Sequence, residues 1–215
     1  MRKVVPFKTV SGALRSLDNG GRFYNMLTKA GDGSITDAEL RKAAGVSSGR
    51  DQALLYLELA LSDLEAAGQH EVVSHLSDDV RLQLHDRRPQ RVAISRFETA
   101  VSAALPVVVE GFPRFLEDKT ELQAFIMIPI MAGKVMTFAM IPIFDRFDIY
   151  EVYSNSAFRG GNTIIATVRG SKRLQNVRTA FAGIVKELKF DPNTKASHRF
   201  YLESLYYTTE PEDHG

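Results

Sequence analysis

Two short segments in the last third of the chain combine glycine, serine and basic side chains in a pattern that can hold an anion. Phe158-Arg159-Gly160-Gly161-Asn162 is the first, and Arg169-Gly170-Ser171-Lys172-Arg173 follows at the start of a predicted helix. Free N–H groups and the dipole at a helix start favour a phosphate or carboxylate. The predicted anion-binding residues are Arg159, Ser171, Lys172 and Arg173. In the alternative interpretation these basic side chains point into water.

A second pattern resembles the later part of an EF-hand calcium loop. Asp32-Gly33-Ser34-Ile35 and Glu39 occupy matching positions, but Thr28 and Ala30 stand where the first oxygen ligands belong. A hard cation such as Ca²⁺ needs those early ligands. Glu39 is explained without metal as part of a helix-capping box. The sequence therefore predicts no metal site.

Common catalytic patterns are missing from the sequence. It contains no nucleophile elbow, phosphate-binding P-loop, dinucleotide fingerprint or histidine pair at metal-ligand spacing. The chain has no cysteine, which excludes thiolate chemistry and disulfides. The five histidines are scattered along it: His70, His75, His85, His198 and His214. We expect a protein that is not an enzyme and has no cofactor.

Composition indicates a folded protein of ordinary balance. The 215 residues are 44% hydrophobic and 25% charged, enough for two small domains. No apolar run of signal-peptide length follows the basic start, so we expect a cytoplasmic protein that does not act at a membrane. The most apolar segment, 125–144, is broken by two prolines and is interpreted as buried sheet. Because the net charge is only +1, nucleic acid could be bound only through a local basic patch.

The first half of the chain carries the signals of three helices. Residues 22–30 have helical apolar spacing, and Thr36 with Glu39 forms a capping box for a second helix that ends before Gly45. Ser48 with Asp51 forms another capping box, opening a third helix with a leucine stripe. Gly68 is predicted to end that helix.

A β-hairpin is predicted to follow the third helix. Two apolar runs, residues 71–76 and 80–85, flank the polar turn Ser77-Asp78-Asp79. Pairing Leu76 with Val80 places the apolar residues on one face and leaves the polar ones on the other.

This order of elements resembles a winged helix-turn-helix over residues 22–88. The resemblance rests on Ile35-Thr36-Asp37-Ala38-Glu39-Leu40, on Ala44-Gly45-Val46-Ser47 and on Leu61 to Gly68, and the predicted hairpin would be the wing. It implies duplex DNA binding through the start of the third helix, the second helix and the wing. The residues implied are Arg41, Lys42, Ser48, Arg50, Gln52, Arg81 and Arg88. The third helix departs from the family in being long and apolar in its middle.

Strands dominate the predicted second half. Ser95 with Glu98 opens a helical stripe to Phe115, interrupted by Pro106 and Pro113. An antiparallel meander follows, with a covering helix and a last strand after it, at residues 122–131, 135–144, 147–153, 163–169, 172–188 and 200–207. Both faces of the first two strands are apolar, which favours a homodimer through this sheet. Pro129 and Pro142 indicate sheet edges or bulges.

Together these patterns predict an α+β protein: an N-terminal winged-helix-like domain, residues 20–88, followed by an antiparallel-sheet domain with covering helices, residues 92–210. The leading hypothesis is a DNA-binding transcription regulator whose C-terminal domain dimerises or senses a small anionic ligand. The alternative is a non-enzymatic protein–protein interaction module in which the winged helix serves as a scaffold.

Overall fold

The structure of the protein is a computed structural model. It describes residues 1–20, 29–47, 49–132, 135–159, 162–168, 173–187 and 199–209, with the backbone alone for 117–132, 135–145 and Asn162. Six α-helices occur in these ranges: α1 Val10–Leu17, α2 Asp37–Ala44, α3 Arg50–Ala60, α4 Ala66–Ser74, α5 Asp78–Arg87 and α6 Phe97–Ala100. The strands are β1 Arg2–Lys3, β2 Gln90–Arg91, β3 Pro106–Ala132, β4 Val135–Tyr153, β5 Asn162–Val168, β6 Thr179–Glu187 and β7 Phe200–Thr209. The expected α+β class is confirmed.

Five of the strands close into a barrel, a feature that the sequence analysis did not predict. The pairings run β3–β4–β5–β7–β6 and back to β3, and only the β5–β7 pair is parallel within this ring. β3 takes part twice, because residues 106–111 pair with β6 and residues from Phe112 onward pair with β4. The short strands β1 and β2 add to β7 and β3. Because the ring is closed, each of the five barrel strands pairs with two neighbouring strands.

The barrel interior is filled by alternate residues of its strands. Its cluster includes Val107 and Val109 of β3, Val152 of β4 and Ile165 of β5, all essentially buried. Phe97 of α6 joins the same cluster and is fully buried. Because successive side chains of a strand point to opposite faces, these positions fix which residues point outward.

The second helix forms as the sequence predicts. Thr36 accepts from the Glu39 backbone N–H while the Glu39 carboxylate accepts from the Thr36 N–H, so both halves of the capping box are present. Gly45 ends α2 at φ +72°, a left-handed conformation that glycine adopts without steric cost. The predicted first helix, residues 22–30, lies almost entirely outside the described residues, as does Ser48 of the second predicted box.

The predicted wing is wrong, because residues 66–74 fold as α4 and residues 78–87 fold as α5, with Leu76 between them in an isolated β-bridge to Ile35. Val72, Leu76 and Val80 are all buried at a spacing of four. A spacing of four fits one face of a helix and also one face of a strand, so periodicity could not separate the two. Ser77 is the N-cap of α5, and Asp78 and Asp79 lie in its first turn, where carboxylates favour the helix dipole.

The third predicted helix is divided in two. α3 ends at Ala60, and α4 starts at Ala66 and continues through Gly68, the expected stop. A Cβ on Gly68 would lie 3.0 Å from Val10 Cγ2, so this glycine permits close packing of α1 on α4. α3 itself is the buried centre of the helical half and contacts β3, β6 and β7.

The helix predicted at residues 172–188 is wrong, and the helical region predicted from Ser95 to Phe115 is helical only at its start. After a single 3₁₀ turn, Ile94–Arg96, and α6, the chain becomes extended at Pro106, where the β-branched run of valines favours a strand. The predicted box at Ser95 does not form, and Glu98 instead accepts from the Arg199 backbone N–H at 3.0 Å. Within the predicted helix 172–188, residues 179–187 are strand β6, which pairs with both β3 and β7.

The strand predictions hold in large part. β3, β4 and β5 form the expected antiparallel meander, and β7 contains the predicted last strand. β3 and β4 are much longer than predicted, since β4 continues through Asp145-Arg146 without a turn. Pro129 and Pro142 both lie where, among the described strands, β3 and β4 pair only with each other, so each proline is on an edge strand as expected.

Candidate functional site

The outward side of β3, β4 and β5 is the candidate functional surface. We call it the barrel face. The helices contact a different part of the barrel, since α3 packs on β6, β7 and the first half of β3. Two of the few large apolar side chains that are half exposed, Leu116 (49%) and Val168 (50%), point outward on this face. Its residues are Phe112, Arg114 and Leu116 of β3, Phe147, Ile149, Glu151 and Tyr153 of β4, and Ile164, Ala166 and Val168 of β5.

Arg114 lies at the centre of a hydrogen-bonded cluster on the barrel face. It is directly opposite Glu151 in the β3–β4 register, and its Nε donates to Glu151 Oε2 at 3.1 Å. Its Nη2 lies 2.8 Å from the Tyr153 hydroxyl oxygen, which in turn donates to Glu151 Oε2 at 3.0 Å. The hydrogen bond to Glu151, reinforced by the charge of that carboxylate, raises the pKa of Arg114. Arg114 is therefore a fixed cation, about half exposed.

Two aromatic rings stand beside this cation. The Arg114 guanidinium carbon lies 5.0 Å from the centre of the Tyr153 ring and 5.7 Å from that of Phe158. The two rings pack edge to face with their centres 5.4 Å apart. Attraction between a cation and an aromatic face operates at such distances.

The loop after β4 holds Phe158 in this position. Asn155 Oδ1 accepts from the backbone N–H groups of Ala157 and Arg159, at 3.1 and 3.2 Å, and its Nδ2 donates to the Arg159 carbonyl at 2.6 Å. Phe158 adopts φ +54°, a conformation that few residues other than glycine take. Asn155 thus stabilises an unusual turn that brings the ring against Tyr153.

A second cation–aromatic contact occurs where β3 leaves the barrel. The Arg173 guanidinium carbon lies 3.8 Å from the centre of the Phe115 ring, whose edge packs on Tyr150. The Tyr150 hydroxyl accepts from the Leu174 backbone N–H at 3.2 Å, which fixes the chain beside Arg173. Burial is the largest cause that raises the pKa of Tyr150.

An open cavity of about 460 Å³ with both polar and apolar lining adjoins the barrel face. Phe112 belongs to both, and Glu110 forms an ion pair with Arg178 in the cavity wall. The other lining groups are mostly small and polar, including Ser95, Ser154 and Asn155. The barrel face and this cavity together offer aromatic, cationic and hydrogen-bonding groups.

No protein-family model and no curated protein matches this sequence. Among the residues that the structure describes, no helix is both long and apolar enough to cross a membrane. The case for a function therefore depends on the geometry of the chain itself.

Most of the residues implied in DNA binding are engaged within the protein. Arg41 bonds to Asp37 at 2.8 Å, and the Lys42 ammonium donates to the carbonyls of Asn19 and Gly20 at 2.7 and 2.8 Å. Arg81 pairs with Asp78, and Arg88 lies 3.7 Å from Glu58. Arg50 and Gln52 lie in the first turn of α3, where Arg50 is exposed, and Ser48 is outside the described residues. Without a wing, these residues do not form the expected arrangement.

The predicted anion site loses the helix on which it was based. Ser171 and Lys172 lie outside the described residues, and the chain after Arg173 leads into β6 instead of a helix. Arg159 is exposed in the loop held by Asn155, and Arg173 packs on Phe115. Of the four predicted residues, Arg159 therefore lies in the loop that positions Phe158, and Arg173 contacts the Phe115 ring.

The groups of the calcium-like pattern serve as local hydrogen-bond acceptors. Asp32 Oδ1 accepts from Ser34 N–H at 3.0 Å, and Asp18, which lies outside the pattern, accepts from the backbone N–H groups of Gly31 and Gly33 at 2.6 and 2.8 Å. Glu39 accepts from Thr36 in the capping box. In the described part of the chain no three histidine, aspartate or glutamate side chains group closely enough to hold a metal ion.

Sequence reasoning missed Arg114, Glu151 and Tyr153, and it noted Phe158 only as the first residue of a predicted anion-binding segment. Arg114 and Glu151 are 37 residues apart, and only the strand register brings them opposite each other. One signal was present in the sequence, because residues of a strand alternate between its two faces. Phe147, Ile149, Glu151 and Tyr153 therefore share one face of β4, and the residues between them are buried on the other face.

Proposed function

We propose that this protein binds single-stranded nucleic acid on the barrel face. The observation that carries the proposal is the Arg114 guanidinium held beside the rings of Tyr153 and Phe158 on the outer side of β3 and β4. Aromatic side chains stack on bases of any sequence, and arginine binds both phosphates and aromatic planes. Tyr153 is only 7% exposed and holds Arg114 in place, so the partly exposed Phe158 ring and the Arg114 guanidinium provide the contacts for a base and for its backbone.

The strand order supports this choice of surface. A barrel with pairings β3–β4–β5–β7–β6–β3 and a single parallel pair between its third and fifth strands has the topology of an OB-fold. In OB-folds the second and third strands, with adjacent loops, bind oligonucleotides and oligosaccharides. Here those strands are β4 and β5, which carry most of the barrel face. Because a fold alone does not determine function, the side chains of the face carry the argument.

Charge on and around the barrel face is compatible with a polyanion. Arg159 follows Phe158 in the loop beside the barrel face. Arg173 lies over Phe115, which pairs with the buried Tyr150 on the other side of the sheet, and so adds no charge to this face. Glu151 is the one carboxylate among the barrel-face residues whose side chains are described, and its Oε2 already bonds to Arg114; Glu117, described in its backbone alone, pairs with Ile149. The remaining face residues are apolar or aromatic, which suits bases more than a fully hydrated duplex backbone.

The experiment is fluorescence anisotropy with a labelled oligodeoxythymidine of about 20 nucleotides at two salt concentrations. We expect salt-dependent binding, since each phosphate contact in a single strand contributes about 0.7 to the slope of log K against log salt. Arg114→Gln keeps a hydrogen-bond donor for Glu151 but removes the charge and the planar guanidinium. We expect this change to weaken binding about 5- to 50-fold, the range for one stacked base or charge-assisted contact.

Two controls make the result specific. Lys8→Gln removes a cation on the helical half, where Lys8 pairs with Asp63, and should leave the affinity unchanged. A duplex of the same length tests the helix-turn-helix hypothesis, under which Arg50→Ala would weaken duplex binding. No binding of the single strand at low salt, or equal losses in Arg114→Gln and Lys8→Gln, would contradict the proposal.

A further inference from the structure

β3 and β4 continue past the barrel as a two-stranded ribbon. We define the ribbon as residues 120–132 of β3 and 135–146 of β4, which pair with each other from Thr120↔Arg146 to Ala132↔Val135. Among the described residues, no third strand joins the ribbon on either edge. At about 3.4 Å per residue, it extends roughly 40 Å.

The ribbon sequence is unusual for a solvated element. Between Leu122 and Phe144 the only charged residue is Lys134, next to Gly133 in the connection between the strands. Acidic and basic residues gather instead at the base, at Glu117, Asp118, Lys119, Glu121, Asp145, Arg146 and Asp148. An isolated two-stranded hairpin is only marginally stable in water, and large apolar patches are rare on monomers. The ribbon therefore requires a partner surface.

We infer that the ribbon is the contact through which two copies of this chain form a dimer. The ribbon has two features that a partner can complement: strand edges that no other described strand joins, and two faces of apolar sequence. A second ribbon meets both, because it offers the same strand edges and the same apolar composition. Two-fold association of identical patches requires no other complementary sequence. This inference deepens the expected homodimer by assigning it to one segment, and it does not depend on nucleic-acid binding.

The available area matches what a stable dimer needs. The apolar part of each strand is about 11 residues long, so one face measures roughly 37 by 10 Å, or about 400 Å². Both faces of one ribbon give about 800 Å², the share of each partner in a standard interface. To cover both apolar faces, the ribbon of one copy must contact the ribbon of the other copy on one face and the rest of that copy on the other face. Insertion of a lone ribbon into a bilayer is disfavoured, because its edges would leave backbone groups unsatisfied in hydrocarbon.

The first test measures the mass of the full chain by light scattering after gel filtration, from about 1 to 100 µM. We expect a concentration-dependent rise from 23.9 kDa to twice that mass. Ile126→Lys with Ile128→Lys changes alternate positions of one ribbon strand and should weaken dimerisation at least 10-fold. Leu82→Lys places the same charge at an exposed apolar position of α5 (62% exposed) and should have no effect.

A second test does not depend on how the lysine variant folds. Because the chain has no cysteine, Thr137→Cys gives a single thiol on the ribbon, and Leu82→Cys gives one on α5. We expect a bismaleimide to cross-link the ribbon variant into dimers and to leave the α5 variant monomeric. A monomeric wild type across the whole range, or equal cross-linking of both variants, would overturn the inference. Ribbon-dependent sedimentation of a monomeric wild type with phosphatidylglycerol vesicles would assign the ribbon to a bilayer instead.

Discussion

Tyr206 donates a hydrogen bond of 3.1 Å to the carbonyl oxygen of Ala44, the last residue of α2. The bond joins barrel strand β7 to the helical half of the protein. The Tyr206 ring also packs edge to face on Tyr56 of α3, with centres 5.9 Å apart. Tyr206 is 3% exposed, and one apolar cluster contains it with the buried residues of α2 and α3. The two halves of the chain therefore share a core.

Replacing Tyr206 by phenylalanine tests the hydrogen bond between the halves. The ring packing should remain, but the Ala44 carbonyl would lose its buried donor. We expect the free energy of unfolding to fall by about 1 to 2 kcal/mol at neutral pH, measured by urea denaturation. An unchanged midpoint would show that water replaces the hydroxyl.

The stability of the wild type should fall at high pH because of the same residue. Burial, the largest cause, raises the pKa of Tyr206 to about 12 from an ordinary value of 10. The neutral hydroxyl therefore contributes its full stability below pH 10, and this contribution is lost as the pH rises through about 12. Urea denaturation between pH 9 and 12 should show a steeper decline for wild type than for Tyr206→Phe. Parallel curves for the two proteins would contradict the assignment to Tyr206.

Barrel closure should be sensitive to a single methyl group at Gly183. A Cβ at this position would lie 2.2 Å from the Glu203 backbone oxygen, at an irregularity in the β6–β7 pairing. Because backbone must move to accept it, we expect Gly183→Ala to destabilise the protein by more than about 3 kcal/mol. Gly31→Ala is the control: Gly31 has φ +76°, and a Cβ added there would lie more than 4 Å from every atom of the described residues other than Gly31 and its two chain neighbours, so only conformational strain of about 1 kcal/mol applies. Thermal denaturation of both variants should separate a steric clash from strain.

The Glu39 carboxylate should be worth more than an ordinary helix cap. It is 1% exposed and accepts from the Gly20 N–H at 2.6 Å as well as from the Thr36 N–H and hydroxyl, at 2.9 and 2.8 Å. Glu39→Ala leaves these donors without their acceptor, and we expect a loss of about 2 to 4 kcal/mol in unfolding free energy. Asp37→Ala, in the same turn, should cost less than about 1 kcal/mol. Similar losses in both variants would mean that the buried hydrogen bonds contribute little.

If the barrel face binds nucleic acid as proposed, Arg114 attracts the phosphates and the Glu151 carboxylate repels them, and one substitution separates these two effects. Glu151→Gln keeps an oxygen acceptor for Arg114 and removes a negative charge next to it. We expect single-strand binding to become about 2- to 10-fold tighter, since a like charge near the phosphates is lost. The anisotropy titration measures this change directly. Weaker binding would indicate that the Glu151 charge is needed to position Arg114.

Local chemistry accounts for the features that the sequence predicted correctly. The Thr36–Glu39 box and Gly45 mark α2 because capping involves residues only a few positions apart. Strands β4, β5 and β7 were found because β-branched and aromatic residues concentrate in them. The α+β class followed from these elements.

Tertiary structure alone decided the elements whose apolar spacing suits a helix and a strand equally. Val72 of α4 and Val80 of α5 are helical, and Leu76 lies four residues from each in the connection between them. Phe181 and Val185 are also four residues apart but are in strand β6. β6 is a strand because β3 and β7 both pair with it to close the barrel. The barrel face arises in the same way, since Arg114 meets Glu151 only through a register between distant segments. Spacing along the chain determines which residues can share one face of a helix or strand. Pairing between distant segments determines whether that element is a helix or a strand and which residues it brings together.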